Sequence, residues 1–493
     1  MSVTWTGPAR AALTMVVGVG LVVMAVQVPG TVALAGKGTT PVDGPTPQLV
    51  PVQSTALSCP GPETEGLPGT PAVAGNSRLL AVSAPAEALS GVTLSPGPGS
   101  LTLTATPSGT QLGRTEQRGS VVSAPMSGAT VGQVGGSGAL APGVAALQTW
   151  QRAEGDDRAF MATSCPAAKA DMWLLGGGGE STRRERIVLT NPGANAASAD
   201  IAVYGTGGAI ASANGRNVAV PPHGRVSLLL DALVGPEKTP AVHVTASGGV
   251  LTAVLADSWI DGAVGRGGDD AVPAADPSTE QVVPAVFLDG PARLRIAVPG
   301  PDEAVVQARL LTANGPQPLP GDGVLRVPGG SVRDVDLGSL PPGAYAVQVR
   351  ADHPVVAGAM VERRGSGAKT PSDFGWTTST EPISVVSGIP LPDGAKGSLM
   401  LVSAGGPATA SVVTVSPAGV VTSTSVSVGS DSVTVVDLAG AAQVWVRPAA
   451  GSVRAGVSLA MTDKHGREPL FSLVPLASLA VSATQVPVQE VRG

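Results

Sequence analysis

The sequence predicts an all-β protein of tandem immunoglobulin-like β-sandwiches behind an N-terminal signal peptide or signal-anchor helix. Gly (66) and Pro (45) are spread along the 493 residues, a composition that favours short strands and turns over long helices. Apolar residues make up 43% of the chain, and over many short runs they alternate with polar residues. This two-residue period is typical of half-buried strands, and it recurs in units of about 100 residues, which is the size of a sandwich domain.

Three copies of one pattern define the repeat. Each copy is a strand, a Pro/Gly corner and a second alternating strand, and the copies begin at Arg186, Leu294 and Ser398. In each copy a later hairpin runs into an aspartate: Asp231, Asp336 and Asp437. The sequence therefore predicts sandwiches at 181–275, 281–368 and 383–476, followed by a tail at 477–493.

The corner Asn191-Pro192-Gly193 has two interpretations, a ligand-holding loop or a bend between strands. The equivalent corners, Pro299-Gly300 and Gly405-Gly406, lack the asparagine. A ligand loop would need the polar side chain, so the pattern favours the structural bend.

The region before the repeats is less regular. Residues 36–53 are rich in Pro, Gly and Thr and predict an extended stalk. Residues 54–180 form an irregular β domain, either a degenerate fourth sandwich or an irregular layer docked on the first regular repeat.

The N-terminus predicts export. Residues 11–28 are an uncharged apolar run, and Ala33-Leu34-Ala35 offers the small residues that signal peptidase accepts. Eighteen apolar residues can also just span a bilayer, so residues 1–35 are either a cleaved signal peptide or a retained anchor. Both alternatives place the rest of the chain outside the cytoplasm, secreted or anchored in the plasma membrane through residues 11–28.

The two cysteines predict one disulfide. Cys59 and Cys165 are the only cysteines, and an exported chain with an even number is expected to pair them. Two distant thiols supply too few ligands for a metal site.

Four features together resemble the actinobacterial DUF5719 family of uncharacterised secreted or membrane-anchored proteins. They are "SCP" at Cys59, "SCP" at Cys165, "DMWLLGGGG" at 171–179 and "RIVLTNPG" from Arg186. The resemblance implies a cell-envelope setting and no particular activity or site residue.

The sequence predicts no catalytic, cofactor or metal residues. The four histidines, His223, His243, His353 and His465, occupy different places in different repeats, and no pair has metal-ligand spacing. There is no nucleophile elbow or phosphate-binding loop.

The densest acidic run, Asp257, Asp261, Asp269 and Asp270, is expected to be a solvated inter-domain loop, with calcium binding as the alternative. Trp259 in the same run is expected to pack at a domain junction, with an exposed sugar-stacking ring as the alternative.

These observations favour a non-catalytic envelope scaffold or interaction protein with an unknown protein or glycan partner. A carbohydrate-binding envelope protein is the alternative, although 2% aromatic residues leave few stacking platforms, and a hydrolase is less favoured. A net charge of −6 without a basic stripe argues against nucleic-acid binding.

Overall fold

A computed structural model describes residues 48–62, 75–128, 130–180, 182–320, 323–364, 370–462 and 469–485. The signal or anchor segment, residues 36–47 of the stalk and residues 486–493 of the tail lie outside these residues. Residues 49–483 form one compact unit. Within the described part of the chain, no helix has the length and apolar character needed to cross a membrane.

The all-β prediction is confirmed. The helical segments that the structure describes are a 3₁₀ turn at Ala86–Leu89 and the five-residue helix α1 at Leu230–Val234. The strands show the expected alternation. In Ala197–Gly205, for example, every second residue is buried because successive side chains point to opposite faces of the sheet.

The first sandwich has two four-stranded sheets, in the orders β2-β7-β4-β5 and β6-β3-β8-β9. Its strands, with β1 preceding them, are β1 (Gln48–Pro51), β2 (Ser54–Cys59), β3 (Asn76–Ser83), β4 (Gly99–Thr106), β5 (Thr110–Thr115), β6 (Val122–Met126), β7 (Val131–Gly138), β8 (Val144–Arg152) and β9 (Ala159–Ser164). Leu79, Leu101 and Leu103, all fully buried, lie in the core that the two sheets enclose.

The second sandwich pairs the sheet β10-β16-β12-β13, in which β14 also pairs with β12, with the sheet β15-β11-β17-β18. Its strands are β10 (Asp171–Leu175), β11 (Arg183–Thr190), β12 (Ala197–Gly205), β13 (Gly208–Ile210), β14 (Val218–Val220), β15 (Arg225–Leu229), β16 (Ala241–Ser247), β17 (Thr252–Asp261) and β18 (Val264–Ala271). Because β10 pairs with β16, this sandwich begins ahead of the predicted residue 181.

The third sandwich contains one strand, β25, that runs through both of its sheets. The first half of β25 lies between β19 and β21, with β22 and β23 beyond β21, and the second half belongs to the sheet β24-β20-β25-β26. The strands are β19 (Ser278–Leu288), β20 (Ala292–Ala297), β21 (Ala304–Thr312), β22 (Gly315–Pro318), β23 (Val324–Val327), β24 (Val332–Asp336), β25 (Gly343–Arg364) and β26 (Ser372–Thr378). β26 lies beyond the predicted end at residue 368.

The fourth sandwich has the sheets β27-β32-β29-β30 and β31-β28-β33-β34. Its strands, with β35 following them, are β27 (Ser387–Pro390), β28 (Lys396–Ser403), β29 (Ala408–Val415), β30 (Val421–Val428), β31 (Ser432–Asp437), β32 (Gln443–Ala450), β33 (Arg454–Thr462), β34 (Pro469–Leu476) and β35 (Ser482–Gln485). A single parallel bridge between Thr312 and Ser432 joins its sheet to that of the third sandwich.

In each sandwich, the last strand along the chain is an edge strand of one of the two sheets. These four edge strands, here called the inner strands, are β9, β18, β26 and β34. β9 lies against β18 and β34, and β26 lies against the same two strands. The four sandwiches therefore close into a ring around their inner strands, instead of forming a linear array of separate domains.

Three of the four junctions in the ring are apolar. Phe160 of β9 packs into the core of the fourth sandwich, Phe471 of β34 into that of the third, and Phe374 of β26 into that of the second. Burying a phenylalanine side chain removes a large apolar area from water, so these three side chains join neighbouring cores. β18 has Gly268 and two aspartates in the corresponding stretch; at its junction with β9, Met161 lies beside Gly268 and the Thr163 hydroxyl donates to Asp270.

Candidate functional site

The acidic run that the sequence placed in a solvated loop is mostly buried on strands, so that expectation is wrong. Asp257 lies on β17, and Asp269 and Asp270 lie on β18, with side chains that are 0%, 0% and 6% exposed. The two strands form one hairpin that turns at Gly262-Ala263, where Gly262 has a positive φ of 66°. A glycine at the first position of a two-residue turn between strand-like runs is a hairpin signal, and it could have revealed this arrangement.

Asp373 on β26 binds all four inner strands at once. Its Oδ2 accepts the backbone N–H groups of Phe160 (3.1 Å) and Phe471 (2.9 Å), and its Oδ1 accepts those of Gly268 (3.2 Å) and Phe374 (3.0 Å). Each donor belongs to a different sandwich. A fully buried carboxylate at the centre of the ring thus satisfies one backbone donor from every sandwich.

Asp269 and Asp270 add further hydrogen bonds between sandwiches. Asp269 accepts the N–H of Trp376 (2.8 Å) from the third sandwich and the hydroxyl of Ser472 (2.7 Å) from the fourth. Asp270 accepts the hydroxyl of Thr163 (2.5 Å) from the first. We call Asp257, Asp269, Asp270 and Asp373 the hub.

Asp257 connects the hub to a buried cation. It accepts two hydrogen bonds from the Arg183 guanidinium (2.7 and 2.6 Å) and one from the Trp376 indole N–H (2.8 Å). Burial by itself lowers the pKa of Arg183, but the charges and hydrogen bonds of Asp257 and Glu180 raise it overall, so Arg183 stays charged. The bidentate geometry suits a desolvated ion pair.

Burial raises the pKa values of three aspartates of the hub, Asp269, Asp270 and Asp373. It raises the pKa of Asp270 to about 6 and that of Asp373 to about 8, against the opposing pull of their hydroxyl and N–H donors. Burial also raises the pKa of Asp269, and the nearby Asp270 and Asp373 carboxylates raise it further. Desolvation disfavours the charged form, so these three aspartates bind protons more readily than exposed aspartates do.

The glycine run Gly176–Gly179 wraps a second buried carboxylate. The N–H groups of Gly178 (2.5 Å) and Gly179 (2.9 Å) both donate to Glu185 Oε1. A Cβ at Gly178 would lie 2.1 Å from the Arg183 guanidinium, and Gly179 has a positive φ of 64°. The run is therefore required by close packing and backbone conformation.

Arg295 fastens the third sandwich to the second. Its guanidinium is fully buried and donates to the carbonyl groups of Gly176 (2.5 Å), Pro240 (2.9 Å) and Lys238 (3.2 Å). It also forms two hydrogen bonds with Asp334 of its own sandwich (2.8 and 2.9 Å). This donor geometry matches what a guanidinium provides and a lysine does not.

Trp259 is half-buried, and two cations lie over its ring. The guanidinium carbons of Arg183 and Arg266 lie 5.4 and 5.8 Å from the ring centroid. Cation–π contacts of this kind hold the ring in place, and the ring packs against the core of the second sandwich, which includes Phe374 and Trp376 of the third. The geometry favours the packing interpretation over the sugar-stacking alternative.

The remaining sequence candidates have structural partners. Cys59 and Cys165 form a disulfide inside the core of the first sandwich, with an S–S distance of 1.96 Å. Asn191 accepts the N–H of Gly193 (2.9 Å) and donates to Asn195 and Val220 carbonyls (2.8 and 3.1 Å), as expected for a bend.

Among the described residues, the histidines are not brought together as a site. The His243 ring stacks on Trp173 with 4.4 Å between centroids, and its Nε2 lies 2.9 Å from Asp171. His223 lies in the turn before β15 with a positive φ of 52°, and His465 lies outside the described residues. Within the described ranges, no group of three or more His, Cys, Asp or Glu side chains is placed to hold a metal ion.

Fold and hub define an all-β protein of four sandwiches joined by buried polar groups. Residues 120–439 match the model of a family of unknown function, DUF5719, and the chain belongs to that family. No curated protein matches it. One solved structure, described as a tetra-tandem repeat in the extending region of a large adhesion protein, aligns with 11% identity over 80% of this chain and 92% of that chain, at a TM-score of 0.07.

Proposed function

We propose that this protein is a non-catalytic, extracytoplasmic scaffold or interaction protein of the cell envelope. The hub is the observation that carries the proposal. Its four carboxyl groups are buried and bonded to backbone and side-chain donors from all four sandwiches. Catalytic acids must reach a substrate, whereas these acids hold the protein together.

The extracytoplasmic setting is supported by the disulfide. Cys59 and Cys165 are bonded in the core of the first sandwich, and such bonds persist in oxidising compartments and are rare in the cytosol. A chain with four sandwiches locked at fixed positions presents a stiff surface, which suits spacing or contact between envelope components.

Two measurements test this function. Alkaline phosphatase fused to the C-terminus of the full chain should be active in living cells, because that reporter needs an oxidising compartment. An inactive phosphatase fusion together with an active cytoplasmic reporter would reject export. The purified protein should not turn over peptidoglycan, glycan, ester or peptide substrates. Turnover that is lost in a folded Asp257→Asn or Asp270→Asn variant would reject the non-catalytic role.

A further inference from the structure

A polar groove separates the first sandwich from the fourth. It has a volume of about 640 Å³, within the range of natural ligand sites. One wall is the outer half of the sheet face formed by β3, β6 and β8, and the other consists of turns of the fourth sandwich near Asp393 and Ser416. We propose that this groove binds a neutral glycan chain.

The first wall presents a ladder of hydrogen-bonding side chains. Asn76 lies directly across from Gln151, and Arg78 across from Thr149, on neighbouring strands. Ser123 on β6 borders Arg78 on its other side. Successive rungs of such a ladder lie about 6.7 Å apart, so a chain that follows the groove meets one rung after another.

Except for Thr149, which is 6% exposed, these groups are available to a ligand. Asn76 and Arg78 are exposed, and Gln151 is half-buried. The Arg78 guanidinium bonds only to the Ser123 hydroxyl (3.2 and 2.8 Å) and has no acidic partner among the described residues. The amides of Asn76 and Gln151 each offer two donors and an acceptor, so together with Arg78 they match a ligand whose hydroxyls both accept and donate.

The lining selects against other ligand classes. Its charged side chains are one arginine, Arg78, and one aspartate, Asp393, so the groove does not favour a charged chain. Leu80, Phe160 and Leu391 in its lining are 6%, 1% and 6% exposed, so the apolar surface that the groove offers comes from Val121, Pro392, Pro417 and Met461, which belong to four different segments of the chain and suit a lipid or an apolar peptide poorly. A chain rich in uncharged hydroxyls fits both properties.

The width of the groove is set by a contact between its walls. Gln443 of the fourth sandwich is 2% exposed and donates to the Gly119 carbonyl of the first at 2.6 Å. Because the two walls are tied, the site exists before the ligand arrives and little ordering is needed on binding. The Trp259 junction lies elsewhere and takes no part.

Glycan binding is an activity beyond the proposed scaffold function. It rests on that proposal in one respect only, because the cell envelope is where the protein would meet glycans. The test uses purified full-length protein and two uncharged probes, a hexamer of α-1,4-linked glucose and a tetramer of β-1,4-linked N-acetylglucosamine. Titrations followed by ligand-observed NMR should detect binding of at least one probe. A tetramer of galacturonic acid and a Ser/Thr-rich decapeptide should bind at least tenfold more weakly.

The variants decide whether the groove is responsible. Arg78→Ala with Gln151→Ala should weaken binding of the neutral probe at least tenfold. The control, Arg114→Ala with Gln111→Ala, removes the same residue types from β5 of the same sandwich, away from the groove, and should leave binding unchanged. A second variant covers the case in which the double variant misfolds. Ser123→Trp places a large side chain in the groove and should abolish binding of the neutral probe.

Three results would overturn the proposal: no binding of either neutral probe, binding unaffected by the groove variants, or preference for the peptide or the charged glycan. None of them would change the outcome of the phosphatase fusion, so failure of the glycan site and failure of the export proposal are distinguishable.

Discussion

Removing the Asp373 carboxylate should weaken the contacts that join the four sandwiches. Asp373→Ala takes the acceptor away from four buried N–H groups, those of Phe160, Gly268, Phe374 and Phe471. Leaving one buried donor without its acceptor costs about 1–3 kcal/mol. Water that enters the vacated space recovers part of this cost, so the expected loss in the free energy of unfolding is near the lower sum, about 4 kcal/mol.

The assay is urea unfolding at pH 6, followed by circular dichroism and tryptophan fluorescence. At this pH, below the Asp373 pKa of about 8, the substitution relieves little buried negative charge. Asp373→Asn keeps the volume and one oxygen, so it should lie between the wild type and the alanine variant. Since the hub couples the sandwiches, the variants should also unfold in more than one transition.

The matched control is Asp336→Ala. Asp336 is an exposed aspartate of the same sandwich that accepts one N–H, from Gly338 at 2.8 Å. Its loss should cost less than about 1 kcal/mol, because water replaces the lost acceptor. If Asp373→Ala is no more destabilising than this control, the hub does not hold the ring together.

Three further predictions concern pH, the buried ion pair and the disulfide. Asp270 and Asp373 titrate near 6 and 8 in the folded chain but near 3.9 when unfolded, so the folded state binds more protons between these values. Their contribution to stability is therefore complete below about pH 4 and is lost as the pH rises through 8. The urea midpoint should be higher at pH 5 than at pH 8.5. Asp270→Asn should make the midpoint depend less on pH between pH 4 and 6. A wild-type midpoint that rises from pH 5 to pH 8.5 would contradict the raised pKa values of Asp270 and Asp373. Arg183→Met should cost about 3–5 kcal/mol in urea unfolding, because it leaves Asp257 buried without its cation, and Arg183→Lys should cost less. Replacing both Cys59 and Cys165 by Ala should lower the stability of the first sandwich by about 2–5 kcal/mol, and tryptic cleavage should begin there; unchanged unfolding and cleavage would show that the bond adds no stability.

Strand content and corner geometry could be predicted from the sequence because both are local. Alternation of side chains identifies a half-buried strand wherever it occurs, and the repeated Pro/Gly corners mark the bends between strands. The disulfide followed from cysteine number and the expected export, and the structure places both cysteines in one core. The family membership followed from motifs such as the glycine run, for which the structure supplies the reason in Glu185 and Arg183.

The ring and its hub were decided only by tertiary contacts. Asp373 lies in a segment that the repeats left unassigned, and it bonds to donors as far as 213 residues away in the chain. One signal was present: three of the four phenylalanines, Phe160, Phe374 and Phe471, occupy corresponding places on three inner strands. Local alternation does not reveal which sandwich a side chain packs into, so the sequence alone favours a solvated loop for the acidic run on β17 and β18. Its burial depends on donors from β9, β26 and β34, which only the closed ring brings within hydrogen-bonding distance.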